Sequence, residues 1–101
     1  VEVKGVTLED GGHALFPDAP TERGVRHLRE LASAVALGHR ATVFFVIQMA
    51  EVTDFAPNDA THPAFGEALR QAVAAGVQAA AYTCRVAPDS IVIDRPVPVI
   101  L

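Results

Sequence analysis

Polar and apolar residues alternate at the start of the chain. Val1 and Val3 fall on one side of an extended backbone and Glu2 and Lys4 on the other, and after Gly5 the run continues with Val6 and Leu8. This period of two predicts a strand. Glu9-Asp10-Gly11-Gly12 is a turn signal, and His13 to Phe16 is expected to return as a short strand, so the opening reads as an antiparallel hairpin. After the Pro17–Pro20 loop the period changes. Thr21 suits an N-cap and Glu22 the first turn of a helix. Val25, Leu28, Leu31, Ala32 and Val35 then recur at helical spacing, and Gly38 supplies the stop.

The run Ala41–Ala50 holds Val43, Phe44, Phe45, Val46 and Ile47 without a polar break, which predicts a strand buried on both faces. Glu51–Thr61 reads as a loop around Pro57-Asn58-Asp59. A second helix is expected to be capped by Thr61 or His62, to carry Pro63 in its first turn, to bury Phe65, Leu69, Ala72 and Val73, and to end at Gly76. Val77–Val86 is expected as a further strand, Ile91–Ile93 as a returning one, and Arg95–Pro98 as an extended tail. Strand, helix and strand between residues 41 and 86 form a right-handed βαβ unit. The expected fold class is α/β, a mixed sheet with the two helices flanking it.

A chain of 101 residues, half of them apolar, is expected to form one domain, residues 1–101. No run approaches the ~20 apolar residues a membrane span requires, and no leader pattern precedes the first strand. Cys84 is the only cysteine, which excludes an internal disulfide framework and a cysteine-rich zinc site. Cytoplasmic residence is the expectation. The net charge of −4 argues against a broad basic face for nucleic acid. The arginines are nevertheless uneven, with Arg23, Arg26 and Arg29 in one stretch beside His27, and Lys4 is the only lysine. Because Val1 opens directly in a strand, the chain reads as a piece of a longer protein whose upstream segment belongs to the functional molecule.

Glu2-Val3-Lys4 is the one compact group with chemical logic. A strand rise of ~3.3 Å per residue puts the two polar side chains on one face with backbones ~7 Å apart. A carboxylate there can hold Mg²⁺. The lysine can orient an attacking water or stabilise charge developing on a phosphate. Such a pair is common by chance on solvated strands. Asp18 and Glu22 lie at the start of the first helix, where they can complete a metal site, position substrate or act only on the helix dipole. Arg23 and His27 sit one turn apart on one face and can contact a phosphate. Gln48 can face the site or make a structural hydrogen bond. Tyr82 reads as core rather than as a platform for a base. His13, His39 and His62 show no ligand spacing, and Cys84 reads as a buried, inert thiol.

Several segments resemble, in order, a known family. They are Glu2-Val3-Lys4-Gly5-Val6-Thr7-Leu8, Phe16-Pro17-Asp18-Ala19-Pro20-Thr21-Glu22-Arg23-Gly24 with His27-Leu28-Arg29-Glu30-Leu31, Phe45-Val46-Ile47-Gln48, Phe55 with Pro57-Asn58, Pro63-Ala64-Phe65, Ala68-Leu69 and Tyr82-Thr83-Cys84. Together they are similar to the C-terminal domain of the sugar fermentation stimulation protein (SfsA) family. The resemblance implies a restriction-endonuclease-like PD-(D/E)xK core following an N-terminal OB-like domain associated with nucleic-acid binding. It implies Glu2 as a Mg²⁺ or Mn²⁺ ligand and Lys4 as the group serving water or transition state, and it favours Arg23 and His27 as contacts to substrate, while Asp18 and Glu22 stay substrate candidates by their position alone. The first acidic ligand would lie upstream of Val1, so this fragment is expected to be inactive alone. Three uses stay open: a metal-dependent nuclease, a non-catalytic DNA-binding or regulatory module linked to sugar (maltose) metabolism, and a scaffold for the N-terminal domain. A homodimer through an exposed sheet edge is a further expectation.

Overall fold

A computed structural model describes the backbone of residues 1–101 and all side chains except those of Val86, Ala87 and Ile91. The strands are β1 (Glu2–Val6), β2 (Leu8–Asp10), β3 (His13–Phe16), β4 (Thr42–Ile47), β5 (Asp54–Pro57), β6 (Gln78–Ala87) and β7 (Ser90–Val97), and the helices are α1 (Glu22–Ala36) and α2 (Pro63–Ala75). They build two sheets rather than one. The larger has the order β1-β4-β6-β7 and the smaller the order β2-β3-β5.

The β4-α2-β6 segment is the expected βαβ unit, with β4 and β6 parallel and in register from Thr42↔Gln78 to Ile47↔Thr83. The opening strand departs from expectation. β1 pairs parallel to β4, from Glu2↔Val43 to Val6↔Ile47, and the antiparallel hairpin is made instead by β2 and β3 in the second sheet. The segment read as a loop contains β5, which lies parallel to β3. The expected tail is the end of β7, where Pro96 faces Tyr82 on the sheet's edge strand. A proline is tolerated there because no further strand needs its missing N–H.

Val43, Phe45 and Ile47 are fully buried and share one core with Leu28 of α1 and with Phe65 and Leu69 of α2. Both helices therefore cover the same face, correcting the expectation that they flank the sheet. Phe55 of β5 stacks on Phe45 from that side, ring centroids 4.2 Å apart. Phe44 and Val46 point the other way and are only half-buried, so β4 is buried on one face, not two. Among the described residues, no helix is long and apolar enough to cross a membrane.

Candidate active site

The parallel register decides where the polar pair of β1 goes. Paired residues in neighbouring strands share a face, so Glu2 and Lys4, opposite the buried Val43 and Phe45, point toward the helices. Val1 and Val3 point outward and are 83% and 60% exposed. The usual preference is inverted, with charge on the covered face and valine in solvent. The Lys4 side chain is only 13% exposed and that of Glu2 32%.

The partner is on α1. Thr21 takes the N-cap position and its hydroxyl accepts from the Gly24 amide at 3.0 Å, which fixes where the helix starts. Leu28 is buried in the core, so the residue before it stands at the edge of the apolar stripe, over β1. His27 Nδ1 lies 2.9 Å from Lys4 Nζ and 3.0 Å from Glu2 Oε1. Lys4 Nζ and Glu2 Oε1 are 3.3 Å apart, closing a triangle of three atoms. The His27 side chain is 17% exposed.

Neighbouring residues hold this start of α1 in place. Asn58, after β5, donates its backbone N–H to Phe16 O at 2.8 Å and its side-chain amide to Pro17 O at 3.0 Å. It thereby docks the Phe16-Pro17-Asp18 turn. His62 occupies the N-cap position of α2 but its side chain does not cap it. Its Nδ1 accepts from the Thr21 backbone N–H at 3.1 Å, linking the starts of the two helices. Neither the Asn58 contact nor the His62 contact had a local sequence signal, since each joins residues far apart in the chain.

The other candidates are distributed differently. Arg23, Asp18 and Glu22 are exposed. Arg23, one turn before His27, lies on the flank beside the triangle. Glu22 lines a surface cleft with Arg26, Arg29 and His62, on another side of α1 from His27. Arg26 and Arg29 are exposed, and Arg26 Nε lies 3.7 Å from Glu30 Oε1. The side-chain amide of Gln48 sits 3.4 Å from where a Cβ on Gly5 would be, on the outward face and away from Lys4. Cys84 is buried, and its thiol donates to Ile47 O at 3.0 Å. His13 pairs with Asp54 across β3 and β5 at 2.7 Å, and the hydrogen bond to that carboxylate raises its pKa, with Coulombic attraction adding to the shift.

A divalent cation of the hard, oxygen-seeking kind takes about six oxygen ligands, some of them water. The Glu2 carboxylate fits one position and is open enough to be reached. Among the described residues no group of three or more His, Cys, Asp or Glu is arranged to hold a metal. These residues therefore fit such an ion only in part, and a complete donor set needs oxygens from beyond them.

The family model described as "Sugar fermentation stimulation protein RE domain" matches residues 1–90. A "Sugar fermentation stimulation protein homolog" from Desulfitobacterium hafniense (strain Y51) is 63% identical over 91 residues, covering 90% of this chain and 40% of the relative. One from Geobacter sulfurreducens is 53% identical over 100 residues, covering 99% of this chain and 43% of the relative. The solved structure of Pyrococcus furiosus SfsA, described as in complex with Ca²⁺, matches with a TM-score of 0.91 at 31% identity, over 99% of this chain and 44% of that one. The chain thus spans about two-fifths of the length of the relatives it matches. With residues 1–90 matched by its model, the chain belongs to the sugar fermentation stimulation protein family.

Proposed function

We propose that this chain is the catalytic-type domain of a DNA-associated, metal-dependent phosphodiester hydrolase, with a PD-(D/E)xK-like site built on β1. The observation that carries the reading is the convergence of Glu2 and Lys4 on the helix-covered face, where a solvated strand pair would have no reason to point. In this reading Glu2 is one ligand of Mg²⁺ or Mn²⁺. The remaining acidic ligand comes from a part of the longer protein outside these residues, preceded in turn by an OB-like domain. That the Pyrococcus furiosus relative is described as in complex with Ca²⁺ supports divalent-cation binding by a protein of this family. When bound, the ion would polarise the phosphate and lower the pKa of a water.

This chain's own groups have simpler tasks. Lys4 presents positive charge where the phosphorane-like transition state gathers negative charge, and that charge is worth most in a partly desolvated site. Arg23 on the exposed flank of α1 contacts a neighbouring phosphate, whereas Glu22, in a cleft on another side of α1, stands apart from that contact. The protein acts in the cytoplasm.

The alternative is a binding or regulatory module that keeps the fold without turnover. The exposed Arg23, Arg26 and Arg29 on α1 favour it, because phosphate contacts alone suffice for binding. The two readings separate when the full-length protein is incubated with labelled DNA and Mg²⁺ or Mn²⁺ beside its Lys4→Ala variant. The hydrolase reading expects metal-dependent cleavage that Lys4→Ala abolishes. Salt-sensitive binding by both proteins without cleavage under any metal contradicts it and leaves the binding module.

A further inference from the structure

We infer that the cleft between α1 and the start of α2 binds a backbone phosphate of the DNA strand, a few nucleotides from the one at Lys4, with Arg26, Arg29 and His62 as its donors. The inference rests on the reading of this protein as DNA-associated and gives that reading a second point of contact. Arg26, Arg29 and His62 line the cleft, Val25 and Ala64 supply its apolar part, and Glu22 is the one acid in its lining. His62 is committed on one side of its ring only. Its Nδ1 accepts from the Thr21 backbone N–H at 3.1 Å. A backbone amide can only donate, so the ring proton sits on Nε2, on the far side of the imidazole, as a donor. That N–H has no acceptor among the described residues.

The arginines divide in the same way. Arg70 pairs with Asp59, Arg85 Nε lies 4.0 Å from Asp94, and Arg95 donates to Ala50 O and Val52 O. On α1, Arg29 meets no carboxylate among the described residues, and Arg26 has only Glu30, 3.7 Å from its Nε, which leaves both terminal nitrogens of its fork. Two guanidinium forks and an imidazole N–H around one recess suit a phosphate, whose oxygens accept in several directions. Glu22, one turn before Arg26, pairs with neither arginine among the described residues, so it opposes an anion by its charge without filling the cleft. At 3.6 residues per turn, Arg23 stands between His27 and this face of α1. A strand whose scissile phosphate lies at Lys4 can therefore cross the start of α1, pass Arg23 and reach the cleft. The net charge of −4 argues against a broad basic face, and a narrow track of three arginines across one helix is a form of binding it permits.

The test measures binding of the full-length protein to a labelled DNA duplex over a series of NaCl concentrations, without divalent metal. Arg26→Ala, Arg29→Ala, His62→Asn and Glu22→Gln are compared with Arg40→Ala, which removes an equal charge from an exposed position beyond the other end of α1. Asparagine at 62 keeps an oxygen near the place of Nδ1 for the Thr21 amide but loses the far N–H. Arg26→Ala and Arg29→Ala should each weaken binding about tenfold and lower the salt slope by about 1, with Arg40→Ala changing both far less. His62→Asn should weaken binding at an unchanged denaturation midpoint, and Glu22→Gln should tighten it. Losses in Arg26→Ala and Arg29→Ala no larger than in Arg40→Ala overturn the inference. So does uptake of inorganic phosphate that Arg29→Ala abolishes while duplex affinity stays untouched, because the cleft would then serve a free anion. A protein that binds the duplex with this pattern yet cleaves nothing under any metal contradicts the hydrolase reading and leaves the cleft assigned. A full-length protein that binds no DNA overturns both.

Discussion

Glu2 Oε1 and His27 Nδ1 approach to 3.0 Å across the gap between an edge strand and a helix. With Lys4 Nζ 3.3 Å from the same carboxylate oxygen, a charged pair stands at a place where an ordinary domain would bury aliphatic side chains. Because Glu2 is about one-third exposed, the cluster gains little stability from its charges. Ion pairs of this kind are worth roughly 0.2–1 kcal/mol. Replacing Glu2 with Gln should therefore change unfolding free energy by less than about 1 kcal/mol in a urea titration. A loss of several kcal/mol would mean that the cluster is structural.

The start of α1 should be much less tolerant. Thr21→Ala removes the acceptor for the Gly24 amide and is expected to cost about 1 kcal/mol, with Thr21→Ser close to neutral. Gly24→Ala should cost more, about 1–3 kcal/mol. A Cβ there would lie 2.9 Å from Thr21 Cγ2 and 3.2 Å from the ring of the fully buried Phe65, which has no room to retreat. Denaturation midpoints of the variants check both.

The His13–Asp54 pair should make stability depend on pH. Its hydrogen bond raises the folded pKa of His13 above the unfolded value, ordinarily about 6.5. Folding then takes up protons, so the stabilising contribution is complete below about 6.5 and fades as pH rises through the raised folded value. In Asp54→Asn the His13 titration should move down, and the stability difference from the unsubstituted chain should shrink toward alkaline pH. An unchanged His13 titration curve, followed by NMR, would show that the pair is not formed in solution.

Cys84 is expected to be silent. Its thiol is buried and donates to Ile47 O, so a thiol reagent should label it only as fast as the chain opens, and at full rate in denaturant. Rapid labelling of the folded chain would contradict the packing of β6 against β4.

Much of the fold was legible because local pattern and tertiary structure agree. The α1 stripe from Val25 to Val35, the αL glycines Gly38 and Gly76, and the βαβ unit are where period and capping residues place them. Strand partners were not legible. Alternation assigns Glu2 and Lys4 to one face but says nothing of which strand lies beside them, and β1 pairs parallel with β4 through a connection that first builds most of another sheet. β5 was hidden because Asp54–Pro57 offers a single large apolar residue, Phe55, and ends in proline. The site was half legible. Glu2 and Lys4 are adjacent enough to be read as a pair. The place of His27 beside them depends on a contact between elements far apart in the chain, and one-turn spacing suggested only its company with Arg23.

The claim that Glu2 and Lys4 serve one phosphodiester is tested most directly by Mn²⁺-dependent cleavage rates of the full-length protein, its Glu2→Ala and Lys4→Ala variants, and the double variant. Groups that act as a unit are strongly non-additive. Each single substitution should lower kcat by at least about 10²-fold, and the double variant should be hardly worse than either. Independent, multiplying losses, or variants that cleave as well as the unsubstituted protein, would contradict the account.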